Sequence, residues 1–219
     1  MEVSASMFMY LFLRLAPFIL ICFFSISSIF NGDLKGIVYL VGLILAAGAS
    51  ILVGGILPSS WTESPSSVPG ICDAVSIGSG IFSKIPLGQT ILSFTLFYLY
   101  QTMKKNDEDN KDLNSRSRNW PTLYFFGFLL LADLFINTGI LSNLKTYLNM
   151  STAYCYNLPQ SLLAFGTGMT FGIIWANMIY STDTPELIYF PKYKNNEVCK
   201  KASKKTFRCK VFKNGERIK

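Results

Sequence analysis

The chain has 219 residues, half of them apolar, with 18 Phe and only 15% charged side chains, against about 25% charged in soluble globular proteins. That balance excludes an ordinary water-soluble enzyme, and the length allows one domain or at most two small ones. There is no histidine and the formal net charge is +7, so chemistry that needs an imidazole base, nucleophile or metal ligand is closed to this chain.

The first apolar run, 7–30, is too long for a signal peptide and lacks a small-residue cleavage pattern behind it. Its 24 residues rise about 36 Å as a helix, enough to cross a hydrocarbon core of about 30 Å with some tilt. Arg14 lies one to two turns inside, placed to snorkel outward or to pair with another helix. The turn Asn31-Gly32-Asp33 leads into a second run, 34–57, closed by Pro58. This run carries Gly42, Ala46, Ser50 and Gly54 at intervals of four, a stripe that lets a neighbouring helix approach closely. Residues 58–86 are rich in Pro, Ser and Gly and read as an extra-membranous or partly re-entrant segment.

The third run, 87–103, is shorter and more polar than the others and precedes a hydrophilic connector, 104–119. Pro121 is expected in the first turn of a fourth run, 121–141, where its missing N–H costs nothing. Asp133 and Asn137, one turn apart inside that run, are expected to face other helices rather than lipid. A polar stretch, 142–158, leads into the fifth run, 159–180. The expected fold class is therefore all-α: a polytopic transmembrane helical bundle over 1–181, about five spans, followed by a basic C-terminal tail, 182–219.

Five spans put the two termini on opposite sides. The tail from Ser181 holds 11 Lys/Arg and 4 Asp/Glu, and the 104–119 connector holds 5 and 4. In 58–86 and 142–158 the basic residues are Lys84 and Lys145 alone. The positive-inside rule makes the tail side cytoplasmic and sends the two polar loops to the lumen or exterior.

Pro86-Leu87-Gly88-Gln89 opening a helix, and Cys155-Tyr156-Asn157-Leu158-Pro159-Gln160 running into Ala164-Phe165-Gly166-Thr167-Gly168, resemble the type-2 phosphatidic acid phosphatase superfamily over roughly residues 36–180. The resemblance implies an integral membrane fold in which a histidine attacks phosphorus, an aspartate orients it, a second histidine serves the leaving group, and Lys and Arg side chains clamp the phosphoryl oxygens. The family's first motif falls on Val68-Pro69, with Trp61 in place of its lysine. The second falls on Pro86-Leu87-Gly88-Gln89, without its serine and histidine. The third falls on Asn149-Met150, Tyr156 and Gln160, keeping only the spacing. Every position that would handle phosphate or protons is exchanged. The outer loops offer Lys84 and Lys145, and the Tyr156 phenol is a weak nucleophile without a base. The resemblance therefore implies a pseudoenzyme with no catalytic residues, no cofactor and no metal set. Lys84, Lys145 and the amides near Gly88 could still hold an anion.

Asp133, the carboxylate inside a span, fits a packing lock, with Arg14 as a candidate partner, better than an ion path, which needs several polar groups stacked across the membrane. Cys22 falls within a span. Cys72 and Cys155 share the outer side and could form a disulfide. Cys199 and Cys209 lack metal-knuckle spacing and read as free thiols. Asn149-Met150-Ser151 matches a glycosylation sequon. The tail has a basic field, Lys200-Lys201, Lys204-Lys205, Arg208, Lys210 and Lys213, suited to anionic lipid or an acidic protein, with nucleic acid less favoured. Its Asn214-Gly215 pair signals a tight hairpin within 211–218.

These features predict a non-catalytic structural or assembly protein of a membrane. Short connectors and a basic tail on one face resemble the minor membrane proteins of large DNA viruses with an internal membrane, which implies capsid-associated partners. The alternatives are a lipid-phosphate-binding pseudophosphatase, or a weakly active phosphatase-like enzyme.

Overall fold

The computed structural model describes residues 5–58, 84–109, 113–138, 155–182, 187–188, 212–213 and 216–217. Among the described residues five helices form the bundle: α1 (Ala5–Asn31), α2 (Lys35–Ile56), α3 (Leu87–Asp109), α4 (Leu113–Asn137) and α5 (Leu158–Ser181). Four of them, all but α3, are long and apolar enough to cross a membrane. Large apolar side chains such as Phe18, Phe23, Ile44, Leu52, Phe128, Leu131 and Ile174 cover the outer faces of those four helices. Exposed apolar surface on that scale suits hydrocarbon and not water. The protein is an all-α helical membrane bundle.

The stretches at 87–103 and 104–119 differ from the sequence expectation in an informative way. α3 runs on to Asp109 and α4 begins at Leu113, so most of the hydrophilic connector is helix. Pro121 consequently sits well inside α4 rather than in its first turn. α3 is polar because lipid barely touches it. Leu92, Phe94, Tyr98, Leu99, Thr90, Ser93, Thr95 and Thr102 are all buried, and among its large apolar side chains Tyr100 is the exposed one. A helix enclosed by protein can carry hydroxyls that a lipid-facing helix could not.

The local sequence explains the helix ends. α1 stops in a Schellman motif: Gly32 takes φ +62°, Gly32 N–H donates to the Ile29 carbonyl and Asp33 N–H to that of Ser28. Glycine enters this left-handed position without steric cost. The Ser28 hydroxyl adds a hydrogen bond to the Asp33 carbonyl, and Lys35 pairs with Asp33 at 3.6 Å. At the start of α5, Asn157 is the cap, Pro159 lies in the first turn, and Asn157 N–H donates to Gln160 Oε1 at 2.9 Å as half of a capping box. Such a box satisfies donors that a helix start would leave orphaned.

Hydrogen bonds between helices fix their directions. Tyr39 pairs with Thr95 at 2.6 Å and Ser50 with Thr90 at 3.0 Å, so α2 is antiparallel to α3. Ser93 donates to the Phe165 carbonyl and Gln101 to Asn177, both at 2.8 Å, while Tyr180 donates to the Thr102 carbonyl at 3.2 Å. α5 therefore runs parallel to α3, and this is the most extensive packing in the bundle. Trp175 Nε1–H reaches the Val38 carbonyl at 3.0 Å.

Small residues permit these approaches. The expected stripe on α2 is buried at Gly42, Ala46, Ser50 and Gly54, with Gly42 under the Trp175 ring and Gly54 against Ile85. α5 has its own buried stripe, Ser161, Ala164, Gly168, Gly172 and Ala176, facing α3. An aromatic knot of Phe24, Tyr39, Phe94 and Tyr98, with centroids 4.2–6.0 Å apart, joins α1, α2 and α3. In the tail, Phe212–Lys213 pairs antiparallel with Glu216–Arg217, the hairpin that Asn214-Gly215 signals.

Candidate functional site

The helix directions bring the starts of α3 and α5, the N-terminal half of α1 and the end of α4 to one end of the bundle. Pro17 lies under Gly88, close enough that a β-carbon there would stand 3.3 Å from the proline ring. On α4 the buried residues Leu123, Phe126, Leu129, Leu130, Asp133, Ile136 and Asn137 recur at helical spacing and turn one face inward. Asp133 and Asn137 are therefore inside, as their spacing predicts.

The Asn137 Nδ2 donates to Asp133 Oδ1 at 2.6 Å. Its carbonyl accepts the N–H groups of Cys155 (3.1 Å) and Tyr156 (3.2 Å), which occupies an acceptor that the C-terminus of α4 would otherwise leave open. Thr138 and Tyr156 form an isolated parallel bridge beside it. The chain returning at 155–156 is thereby tied to the end of α4.

Arg14 meets Tyr156. Its Nη1 donates to the phenol oxygen at 3.0 Å, and its guanidinium carbon lies 5.2 Å from the ring centroid. Asp133 feels the Arg14 charge through space. Tyr156 is thus one group that Arg14 touches, and the expected partner Asp133 lies within reach of its charge. Gln89 is an amide neighbour of the Asp133 carboxylate, and its Nε2 and Oε1 are buried without a hydrogen-bond partner of good geometry among the described residues.

Of the positions carried over from the phosphatase resemblance, Gln89, Tyr156 and Gln160 reach this same end. Trp61, Val68, Pro69, Asn149 and Met150 lie outside the described residues, as do Lys145, Cys72, Cys199, Cys209 and most of the basic field. Lys84 is exposed just before α3. Cys155 is buried and disulfide-bonded, its partner lying outside the described residues, while Cys22 is a free thiol. Among the described residues, no three His, Cys, Asp or Glu side chains gather as a metal would need. Sequence reasoning missed Gln89 as a neighbour of Asp133, and it missed the α5 stripe, whose spacing was there to read.

No protein-family model, no curated protein and no solved structure matches this chain. The fold and the cluster define its class, a helical membrane protein with a buried polar end.

Proposed function

We propose that this protein is a non-catalytic, multi-pass structural or assembly component of a membrane, whose bundle occupies the bilayer and whose basic tail attaches it to neighbours. The setting that suits it is a virion internal membrane, with capsid proteins against the tail. One observation carries the reading: hydroxyl, amide and indole groups along α2, α3 and α5 join those helices to one another. Tyr39–Thr95, Ser50–Thr90, Ser93–Phe165, Gln101–Asn177, Trp175–Val38 and Tyr180–Thr102 each join two helices. Such bonds contribute about 0.6 kcal/mol each inside a membrane, and together they favour one fixed arrangement over a moving one. At the Asp133 end, Arg14 is held on Tyr156, so the phenol serves as an acceptor.

The test is cross-linking and mass spectrometry in the native membrane. Tail lysines such as Lys200, Lys204 and Lys213 are expected to link to one recurring protein neighbour, and removal of 182–219 to release that neighbour while the bundle stays in the membrane. Links confined to lipid or to this chain would contradict the proposal.

A second reading, a lipid-phosphate-binding pseudophosphatase, is favoured by one observation: Gln89, Tyr156 and Gln160 lie at the same end of the bundle as Arg14, which touches Tyr156. Phosphatidic acid binding that is lost in Arg14→Gln would support it over the first.

A further inference from the structure

Three buried side chains at the Asp133 end carry polar atoms that no group among the described residues satisfies with good hydrogen-bond geometry. Gln89 leaves both amide atoms unpartnered, Asn137 leaves Oδ1 and Ser161 leaves Oγ. Their exposures are 3%, 2% and 0%. Gln89 is in the first turn of α3, and Ser161 in the first turn of α5, which runs parallel to it. Asn137 closes α4 next to the chain entering α5. Asp133 stands between Asn137, to which it is bonded, and Gln89, which faces it. Buried amides and hydroxyls are almost always paired, with protein or with ordered water, and in a membrane interior the cost of leaving them open is higher still.

Charge and hydrogen-bond chemistry together select what pairs them. The Asp133 carboxylate repels an anion and the Arg14 guanidinium repels a cation, so the site is formally neutral. Gln89 Nε2 can only donate, Gln89 Oε1 and Asn137 Oδ1 can only accept, and Ser161 Oγ does either. The complement is a small neutral molecule that both donates and accepts. We infer that the Asp133 end of the bundle is a hydrated site, in which ordered water bridges Gln89, Asn137 and Ser161 beside Asp133. Buried waters of this kind hold two to four polar partners and form part of the structure.

The sign of a stability change tests this. The full chain in lipid nanodiscs is compared with Gln89→Met and Ser161→Ala, which keep the shape and delete the polar atoms. If water bridges them, each change strands its hydrogen-bond partners and the melting temperature falls, by about 2–4 °C or more for a chain of this size. A melting temperature that is unchanged or rises shows orphaned atoms and overturns the inference. Should Gln89→Met fail to fold, Ser161→Ala and a map of the wild-type protein decide. Density within hydrogen-bond distance of the Gln89 amide supports water, and a contact closed by protein alone overturns it. Wild-type protein is also heated in sodium chloride, choline chloride and inorganic phosphate. A melting temperature raised specifically by sodium or by phosphate assigns the site to an ion and overturns the inference, and equal values support it.

Discussion

Replacing Gly168 by alanine is expected to force α3 and α5 apart. The added β-carbon would stand 2.5 Å from the Thr90 carbonyl oxygen, 2.8 Å from Ser93 Cβ and 2.9 Å from the Phe94 nitrogen. Favourable contact lies near 3.5–4.0 Å, so α5 has to retreat by about 1 Å there. Two of the three atoms belong to the α3 main chain, and no rotamer change relieves the overlap. The retreat also stretches the 2.8 Å bond from Ser93 to the Phe165 carbonyl. Overpacking costs about 1–3 kcal/mol, and the better helix propensity of alanine returns about 1 kcal/mol. The net is then a loss of up to about 2 kcal/mol, or up to roughly 8 °C of melting temperature at this chain length, against a gain for a glycine whose β-carbon meets nothing. Gly48 on α2 supplies the control, because a β-carbon there meets nothing within 4 Å. Gly48→Ala is expected to leave the melting temperature unchanged or to raise it slightly, since it gains propensity without overlap. The assay is thermal unfolding of the purified protein in nanodiscs, with both variants and wild type in the same lipid. Equal behaviour of Gly168→Ala and Gly48→Ala would refute the close α3–α5 contact and, with it, the central position of α3.

Other outcomes follow from particular contacts. Tyr156→Phe deletes the acceptor of the Arg14 guanidinium, and hydrogen bonds to charged groups contribute about 1.5–3 kcal/mol; thermal unfolding should show a loss of that order, and no loss would mean that Arg14 has another sufficient partner. Trp175→Phe should cost less, about 0.5–1.5 kcal/mol for the bond to the Val38 carbonyl, read by the same assay. Cys155 is disulfide-bonded, and two of the described helices, α3 and α4, separate it from Cys72, whereas one, α5, separates it from Cys199 and Cys209. Peptide mapping under non-reducing conditions should therefore recover a Cys72–Cys155 link, and a link from Cys155 to the tail would overturn the assignment of the two loops to one side.

Four of the five described helices were legible because lipid demands a continuous apolar surface, and α1, α2, α4 and α5 supply one. α3 was legible as a helix but looked weak, since composition cannot distinguish a polar helix wrapped in protein from a poor membrane span. Its extension to Asp109 and the start of α4 at Leu113 were hidden because charged residues in a short helical hairpin read as a loop. The stripe at Gly42, Ala46, Ser50 and Gly54 announced a close neighbour. It did not say which, because Trp175, Thr90 and Ile85 come from helices distant in sequence. At the candidate site, the spacing of Asp133 and Asn137 was enough to turn both inward. The contact of Arg14 with Tyr156 was not legible, because it depends on where the chain re-enters at 155–156, tied to the Asn137 carbonyl. Gln89 was singled out only through the family resemblance. Its place beside Asp133 is a product of the α3–α4 packing.

Under the proposed function, polar groups in the interior hold helices together rather than turn over substrate. The most direct measurement is phosphate release from phosphatidic acid by the purified full chain in liposomes, followed over many protein equivalents. The account predicts release no greater than in protein-free liposomes, with wild type and Tyr156→Phe alike. Sustained release by wild type that Tyr156→Phe or Lys84→Ala abolishes would contradict it.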